Sequence, residues 1–458
     1  MAADARLRIV LRRQSPQWVR GFALAAGGSL VLGCATTHST DGVARGIEDR
    51  VRVPVDFART PSDPGAIPSG VQIDDGVSAD EAVAIALWNS PTLRVDLARL
   101  TAADADLSQA RRPSNPTLRF LFPSGPQQLS VLLTWPLETL VTMPRRIRVA
   151  RTTRQSTIWS IVQSGLDLSR DVRLAHVDWS LACDRAVVRD AIASQWREIA
   201  GMTAARAAAG DVALRDARGA EADARVADDE AARARDDITV ARARMTVLLG
   251  WGQGRAELRP QVDHVLSNRA VDLDGLTSIA IEQRPDLRAA ALAIEAAGAR
   301  VGLERAAVFT LAGVGTSLTG GVQAELPIAS QNQGGIGRAR AQLEAATWRY
   351  RELRERIAGE VAQAHAQLAR AERSTVAYRE MIVDARNRDL VAATAQYELG
   401  DSDYGEVLLS AQRLELARLR EVEIAADERR AAAELERAIG GRRAALPKTT
   451  ARGIEAPR

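Results

Sequence analysis

With 458 residues the chain has room for two or three ordinary domains, and its 26% charged and only 4% aromatic residues fit long helices better than a compact mixed core. The net charge of +3 is small and the two signs are interleaved, which argues against a nucleic-acid surface. No Gly-rich phosphate loop, nucleophile elbow or cysteine-pair metal motif stands out, so neither an enzyme nor a bound cofactor is expected. His38, His176, His264 and His365 are scattered without ligand spacing, and no metal site is expected.

In chain order, the arginines at 6, 8, 12, 13 and 20 precede an apolar run, Gly21–Gly33, which is too short for a stable transmembrane helix. This is the layout of a secretory signal, assigned to residues 1–33. It ends in Val31-Leu32-Gly33-Cys34, which resembles a bacterial lipoprotein cleavage box and implies acylation of Cys34. Ala35 and Thr36 follow, without the Asp that commonly retains such lipoproteins in the inner membrane, so outer-membrane sorting is expected. Residues 34–77, with Pro54, Pro61, Pro64 and Pro68, read as a lipidated linker or irregular extended segment.

Ser78-Ala79-Asp80-Glu81 is a capping-box pattern that opens a helix, which should break near Asn89-Ser90-Pro91. A second helix is expected over 92–112, then an alternating stretch over 117–136. In it Leu118, Phe120 and Phe122 alternate with Arg119 and Leu121, and Leu129, Val131, Leu133 and Trp135 with Ser130, Leu132 and Thr134. A long helix is expected after Pro144 to about Ala209, with the seven-residue spacings Leu174, Leu181, Val188 and Ile192, Ile199 of a coiled-coil stripe. Cys183 lies within this pattern as a small core residue. Gly210-Asp211 reads as a helix stop, and a return helix runs to Gly250.

The same order is then written again. Pro91 matches Pro285, Pro136 matches Pro327, Gly210 matches Gly400 and Gly250 matches Gly440, at offsets of 194, 191, 190 and 190. This predicts a duplicated half-molecule: repeat 1 over 78–262, repeat 2 over 263–440 with its strand pair at 309–327, and a loose tail over 441–458. In 309–327, Val322, Ala324 and Leu326 alternate with Gln323 and Glu325, so Gly313, Gly315, Gly320 and Gly321 belong to strands and a turn. Leu343, Tyr350 and Ile357 give the second long helix its own seven-residue stripe.

Each alternating stretch is long enough for two tilted strands of about nine residues, the length that crosses a bilayer. Four strands cannot close a membrane barrel, and an open edge in lipid would leave backbone groups unpaired at a cost of several kcal/mol each. Several chains must therefore share one barrel if the strands enter a membrane, with the long helices forming a tube below it.

The carriers of a family resemblance are now in view: Arg284-Pro285-Asp286-Leu287-Arg288, Leu326-Pro327, Gln331-Asn332-Gln333-Gly334, the run Ala339–Ala345, and Tyr397-Glu398-Leu399-Gly400 leading to Glu406-Val407-Leu408. In this order the chain from Ser78 to Gly440 resembles the TolC family of outer-membrane efflux proteins. The resemblance implies a mainly α fold with a small membrane β-barrel portion: a homotrimer whose chains give four strands each to a shared barrel in the outer-membrane lipid, above a helical periplasmic tunnel. It also implies a passive exit duct, joined by a periplasmic adaptor to an inner-membrane pump of the resistance-nodulation-division type. Gln331–Gly334 resembles the heavy-metal-cation branch of the family. Thr139–Arg146 departs from that branch, which tends to carry a Gly-Gly-Lys/Arg-Arg type of turn there. The alternatives are a protein-secretion duct of the same architecture and a periplasmic coiled-coil scaffold lipoprotein without a pore.

By the same resemblance the turns Gly210–Asp216 and Gly400–Glu406 are the periplasmic tips where the adaptor docks. Asp211, Asp216, Asp401, Asp403 and Glu406 put negative charge there, either as an acidic ring that favours cations or as ordinary caps and solvated turns. Trp135 and Phe122 suit a lipid–water boundary or inward packing alike.

Overall fold

The computed structural model describes residues 40–55, 57, 67–73, 76–121, 130–251, 258–261, 272–308, 310–316, 320–325 and 327–442. All lie in one unit, Thr40–Arg458. The signal segment, Cys34, Phe122, His38, His264 and the tail from 443 fall outside the described residues.

The elements are α1 (Asp41–Val51), α2 (Ala79–Asn89), α3 (Pro91–Ala110), β1 (Thr117–Leu121), β2 (Ser130–Pro136), α4 (Glu138–Ala209), α5 (Leu214–Leu248), α6 (Leu273–Gln283), α7 (Pro285–Ala306), β3 (Thr310–Thr316), β4 (Gly320–Glu325), α8 (Gln333–Ala377), a π-helical turn (Tyr378–Ile382), α9 (Val383–Leu399) and α10 (Tyr404–Ala438). The order from α2 to α5 recurs from α6 to α10. At 1.5 Å per residue α4 is roughly 110 Å long.

Local chemistry explains the boundaries. The Ser78 hydroxyl accepts from Glu81 N at 3.3 Å while Ser78 N donates to the Glu81 carboxylate at 2.9 Å, so the capping box forms at α2. Ser90 then ends α2 and caps α3, whose first residue is Pro91. The four glycines that mark the repeat are one device used four times. Gly210, Gly250, Gly400 and Gly440 have φ of 85°, 66°, 85° and 84°. In each case the glycine N–H donates three residues back and the next N–H five residues back, as from Gly210 to Ala207 and Asp211 to Arg206. This is the Schellman stop, which needs a left-handed residue. At Gly250 a β-carbon would lie 2.9 Å from Asn89 Cβ, and at Gly440 3.1 Å from Arg284 Cα. The last helix of each half therefore closes onto the helix break that precedes the proline of that half.

Three differences from the sequence reading have physical causes. Helix α4 begins at Glu138 and carries Pro144 inside it. The missing Pro144 N–H frees one carbonyl only, and the preceding turn is held by the hydroxyls of Thr139 and Thr142, which donate to Pro136 O at 2.7 Å and Glu138 O at 3.0 Å. The segment expected to be an irregular linker contains α1, whose Val43, Ile47 and Val51 are buried at helical spacing, and Val53, Val55 and Phe57 join the same core. Arg442, expected in a loose tail, is tied to the body: its N donates to Arg50 O at 3.0 Å and its guanidinium reaches the Asp80 carboxylate at 2.7 Å.

Among the described residues four apolar clusters hold the helices, the smallest being Val177 and Leu181 of α4 with Ala426 of α10. One joins α1, α2 and α3 to the middle of α4 and the end of α5, around Trp179 and Trp251. A second joins α6, α7, α8 and the end of α10, and contains Ile357 of the predicted stripe. The third lies toward the two turns and includes Ile192, Trp196, Ile199, Leu390, Tyr397, Val407 and Leu414. Helix α5 contributes alanines, with Ala217, Ala220, Ala224, Ala227, Ala231 and Ala234 buried at alternating spacings of three and four. Small side chains at that period let two helices approach closely along a narrow seam. Cys183 is half-buried against the first cluster.

Candidate functional site

Two places carry the sequence-predicted function: the sheet and the pair of turns. The sheet has the order β1-β2-β3-β4, all antiparallel. Its described strands have five to seven residues, against about nine expected, and the joining residues 122–129 and 317–319 lie outside the described set. The register pairs Leu118 with Leu133 and Phe120 with Val131, then Leu133 with Gly315 and Trp135 with Gly313. Continuing across, Gly313 pairs with Val322, Gly315 with Gly320 and Leu311 with Ala324. These rows contain only apolar residues and glycine. The intervening rows hold Thr117, Arg119, Thr134, Thr310, Gln323 and Glu325. Because successive strand residues alternate faces, the β1–β2 part of the sheet has one apolar face. Leu118, Phe120, Leu133 and Trp135 on it are between 43% and 53% exposed. Within one chain the sheet is open, with β1 and β4 as its edges.

At the other end of the long helices the two turns are held together. The Arg206 guanidinium lies 4.3 Å from the centre of the Tyr397 ring and donates to Tyr397 O, linking the last turn of α4 to the last turn of α9. The Tyr404 hydroxyl donates to the Asp223 carboxylate at 3.2 Å, linking the start of α10 to α5. Burial first, and then the Asp223 carboxylate, push the Tyr404 hydroxyl well above its ordinary pKa. The predicted residues Gly210, Asp211, Gly400, Asp401, Asp403 and Glu406 are exposed, and Asp216 is half-buried. Asp403 is an N-cap that accepts from Glu406 N at 3.1 Å. Asp216 is paired with Arg215 at 3.2 Å. Arg206, Asp223 and Tyr404 were not singled out from the sequence. Their roles depend on contacts across some 180 to 190 residues, for which no local pattern exists.

This arrangement, an open four-stranded sheet between long paired helices in both halves, is shared with solved outer-membrane channels. The chain superposes on the CusC channel with a TM-score of 0.70 at 18% identity, over 84% of this chain and 99% of that one. For the outer-membrane channel OprN the values are 0.68 and 19%, over 85% and 99%. For the outer membrane protein VceC of Vibrio cholerae they are 0.68 and 18%, over 80% and 96%. Residues 312–441, which run from β3 through α10, match the family model of outer membrane efflux proteins. No curated protein matches the chain by sequence.

Proposed function

We propose that the protein is a passive outer-membrane exit duct of a tripartite efflux system, conducting small toxic compounds or metal cations delivered by an inner-membrane pump. The observation that carries this reading is the exposed apolar face of an open sheet. A sheet edge in hydrocarbon has no water to satisfy its N–H and C=O groups, so only closed barrels persist there. Four strands are too few, and three copies of this sheet supply twelve, within the range of membrane barrels. A scaffold without a pore has no use for such a face.

In this reading the turns at Gly210–Asp216 and Gly400–Glu406 are the ends at which a periplasmic adaptor docks. Cys34, once acylated, adds a lipid anchor to the barrel's own hold on the membrane. Repeats 1 and 2 serve as the two quasi-equivalent staves of each subunit.

The deciding experiment is light scattering on the detergent-extracted mature protein, with the detergent subtracted, followed by planar-bilayer recording. Three copies per particle with discrete conductance steps are expected. A stable monomer that carries no current would remove the channel reading and leave the scaffold.

A further inference from the structure

The charge of the helices that leave the sheet changes abruptly with distance from it. Exposed apolar residues continue past the last strands: Leu140 and Val141 in the first turn of α4, and Ile328 before α8. Four residues beyond Val141 the arginines begin. Arg145, Arg146, Arg148 and Arg151 lie on α4, and Arg338 and Arg340 on α8. Among the described residues none of these six makes an ion pair. On α4 no acid lies within a turn of the four arginines, and on α8 Glu344, four residues beyond Arg340, is not paired with it. Between Glu138 and Asp167 helix α4 has no Asp or Glu, and neither has the chain between Glu325 and Glu344. Farther along α4 the pattern reverses, and Arg170, Arg173, Arg185, Arg189 and Arg197 all pair with carboxylates. The helix dipole gives no reason for cations here, since it favours them at a C-terminus.

An apolar surface that turns into unpaired guanidinium groups within one helical turn matches the profile of a bilayer leaflet. Val141 to Arg145 spans about 6 Å at 1.5 Å per residue. The polar zone of a leaflet is about 5–8 Å deep, the difference between the hydrocarbon core and the whole bilayer. Guanidinium binds phosphate oxygens through two parallel N–H donors and is weakly hydrated, which suits it to that layer. We propose that these arginines form a belt that holds the phosphate headgroups of anionic phospholipids in the periplasm-facing leaflet. The inference rests on the channel reading, because the apolar sheet face sets the height at which lipid begins.

The test uses the full-length channel in detergent, titrated with phosphatidylglycerol or phosphatidylcholine, with retained lipids counted by native mass spectrometry. Phosphatidylglycerol is expected to be retained at least tenfold better. An arginine near an anionic surface contributes about fivefold in affinity. In R145Q/R146Q/R148Q/R151Q the preference should fall at least tenfold toward parity, with trimer mass and conductance kept. The corresponding four-lysine variant should retain most of it. In R354Q/R370Q/R373Q, whose sites lie farther down α8, it should be unchanged. Equal retention of both lipids by the wild type overturns the belt, as does a preference that survives the four-glutamine change. Full competition by soluble glycerol phosphate overturns it too, by showing a free-anion site. The channel reading is scored separately, by the mass and conductance of the wild type before any lipid is added.

Discussion

Arg284 is almost wholly enclosed, at 1% exposure, yet it carries a full charge. Its guanidinium donates to both oxygens of Asp286, at 3.1 and 2.6 Å, to Glu360 at 2.6 Å and to Ala438 O at 3.3 Å. Burial alone would lower its pKa, but the two carboxylates outweigh that and raise it, so the group stays ionised. It ties the start of α7 to α8 and to the last turn of α10, where Gly440 packs against it. Arg284→Ala would leave Asp286 without its guanidinium partner while Glu360 keeps Arg437, and because both carboxylates are partly exposed the cost should fall below the about 3–5 kcal/mol of breaking a fully buried pair. The expected result is a denaturation midpoint below that of the wild type, with Arg284→Lys intermediate because it keeps the charge and loses the fork. Asp80 makes the matching link in the first half. Burial works to raise its carboxyl, but Arg173 and Arg442 prevail and hold it below the usual range. A carboxyl lowered by folding stabilises above its unfolded value, about 3.9, and that contribution is lost as the pH falls through the folded value. Stability measured at pH 7 and at pH 3 should therefore differ less in Asp80→Asn than in the wild type.

Helices in this protein end by a rule that the sequence states openly, and they are interrupted by one that it does not. The Schellman stops at Gly210 and Gly400 require φ near 85°. A β-carbon at Gly400 meets nothing nearer than Arg206 Nη2 at 3.9 Å, so Gly400→Ala tests backbone strain without a steric clash. A left-handed residue with a side chain costs about 1 kcal/mol. Hydrogen exchange should then rise in the last turn of α9 and the first turn of α10, while the cluster around Ile357 keeps its protection. Glycines, the Ser78 capping box and the Pro91 break were legible because each acts within a few residues. The seven-residue stripe was legible in part, since Leu181, Ile192, Ile199 and Ile357 are buried whereas Leu174, Val188, Leu343 and Tyr350 are half-buried. The π-helical turn at Tyr378–Ile382 was not legible, because one extra residue in a helix leaves no mark in composition. Nor was α1 read, although Val43, Ile47 and Val51 have helical spacing, since the prolines that follow suggested a linker. At the turns, sequence reasoning located the glycines and acids but not what joins the two hairpins. The Arg206–Tyr397 stack and the Tyr404–Asp223 bond pair residues that only the tertiary fold brings together.

For the whole molecule, the sheet and the helices should fail independently. Among the described residues the helices are held by four clusters that contain no strand residue, so a change confined to the apolar sheet face leaves the helical body without a reason to unfold. The sheet, by contrast, contributes no described residue to any of these clusters. In the proposed channel the sheet's face at Leu118, Phe120 and Leu133, exposed in the single chain, is covered by lipid, and its two edges pair with other copies. Arginine on the lipid side of a membrane barrel costs about 2–4 kcal/mol at the midplane and about 0–1 near the interfaces. Leu118→Arg, Phe120→Arg and Leu133→Arg together should therefore prevent insertion, with the largest single effect marking the residue deepest in the bilayer. The measurement is membrane fractionation of the triple variant beside circular dichroism of the purified chain. Loss from the outer-membrane fraction with helical content retained is the outcome that a shared barrel requires. A variant that still reaches the outer membrane as a trimer would mean that this face is covered by protein, and the lipid boundary would have to lie elsewhere on the chain.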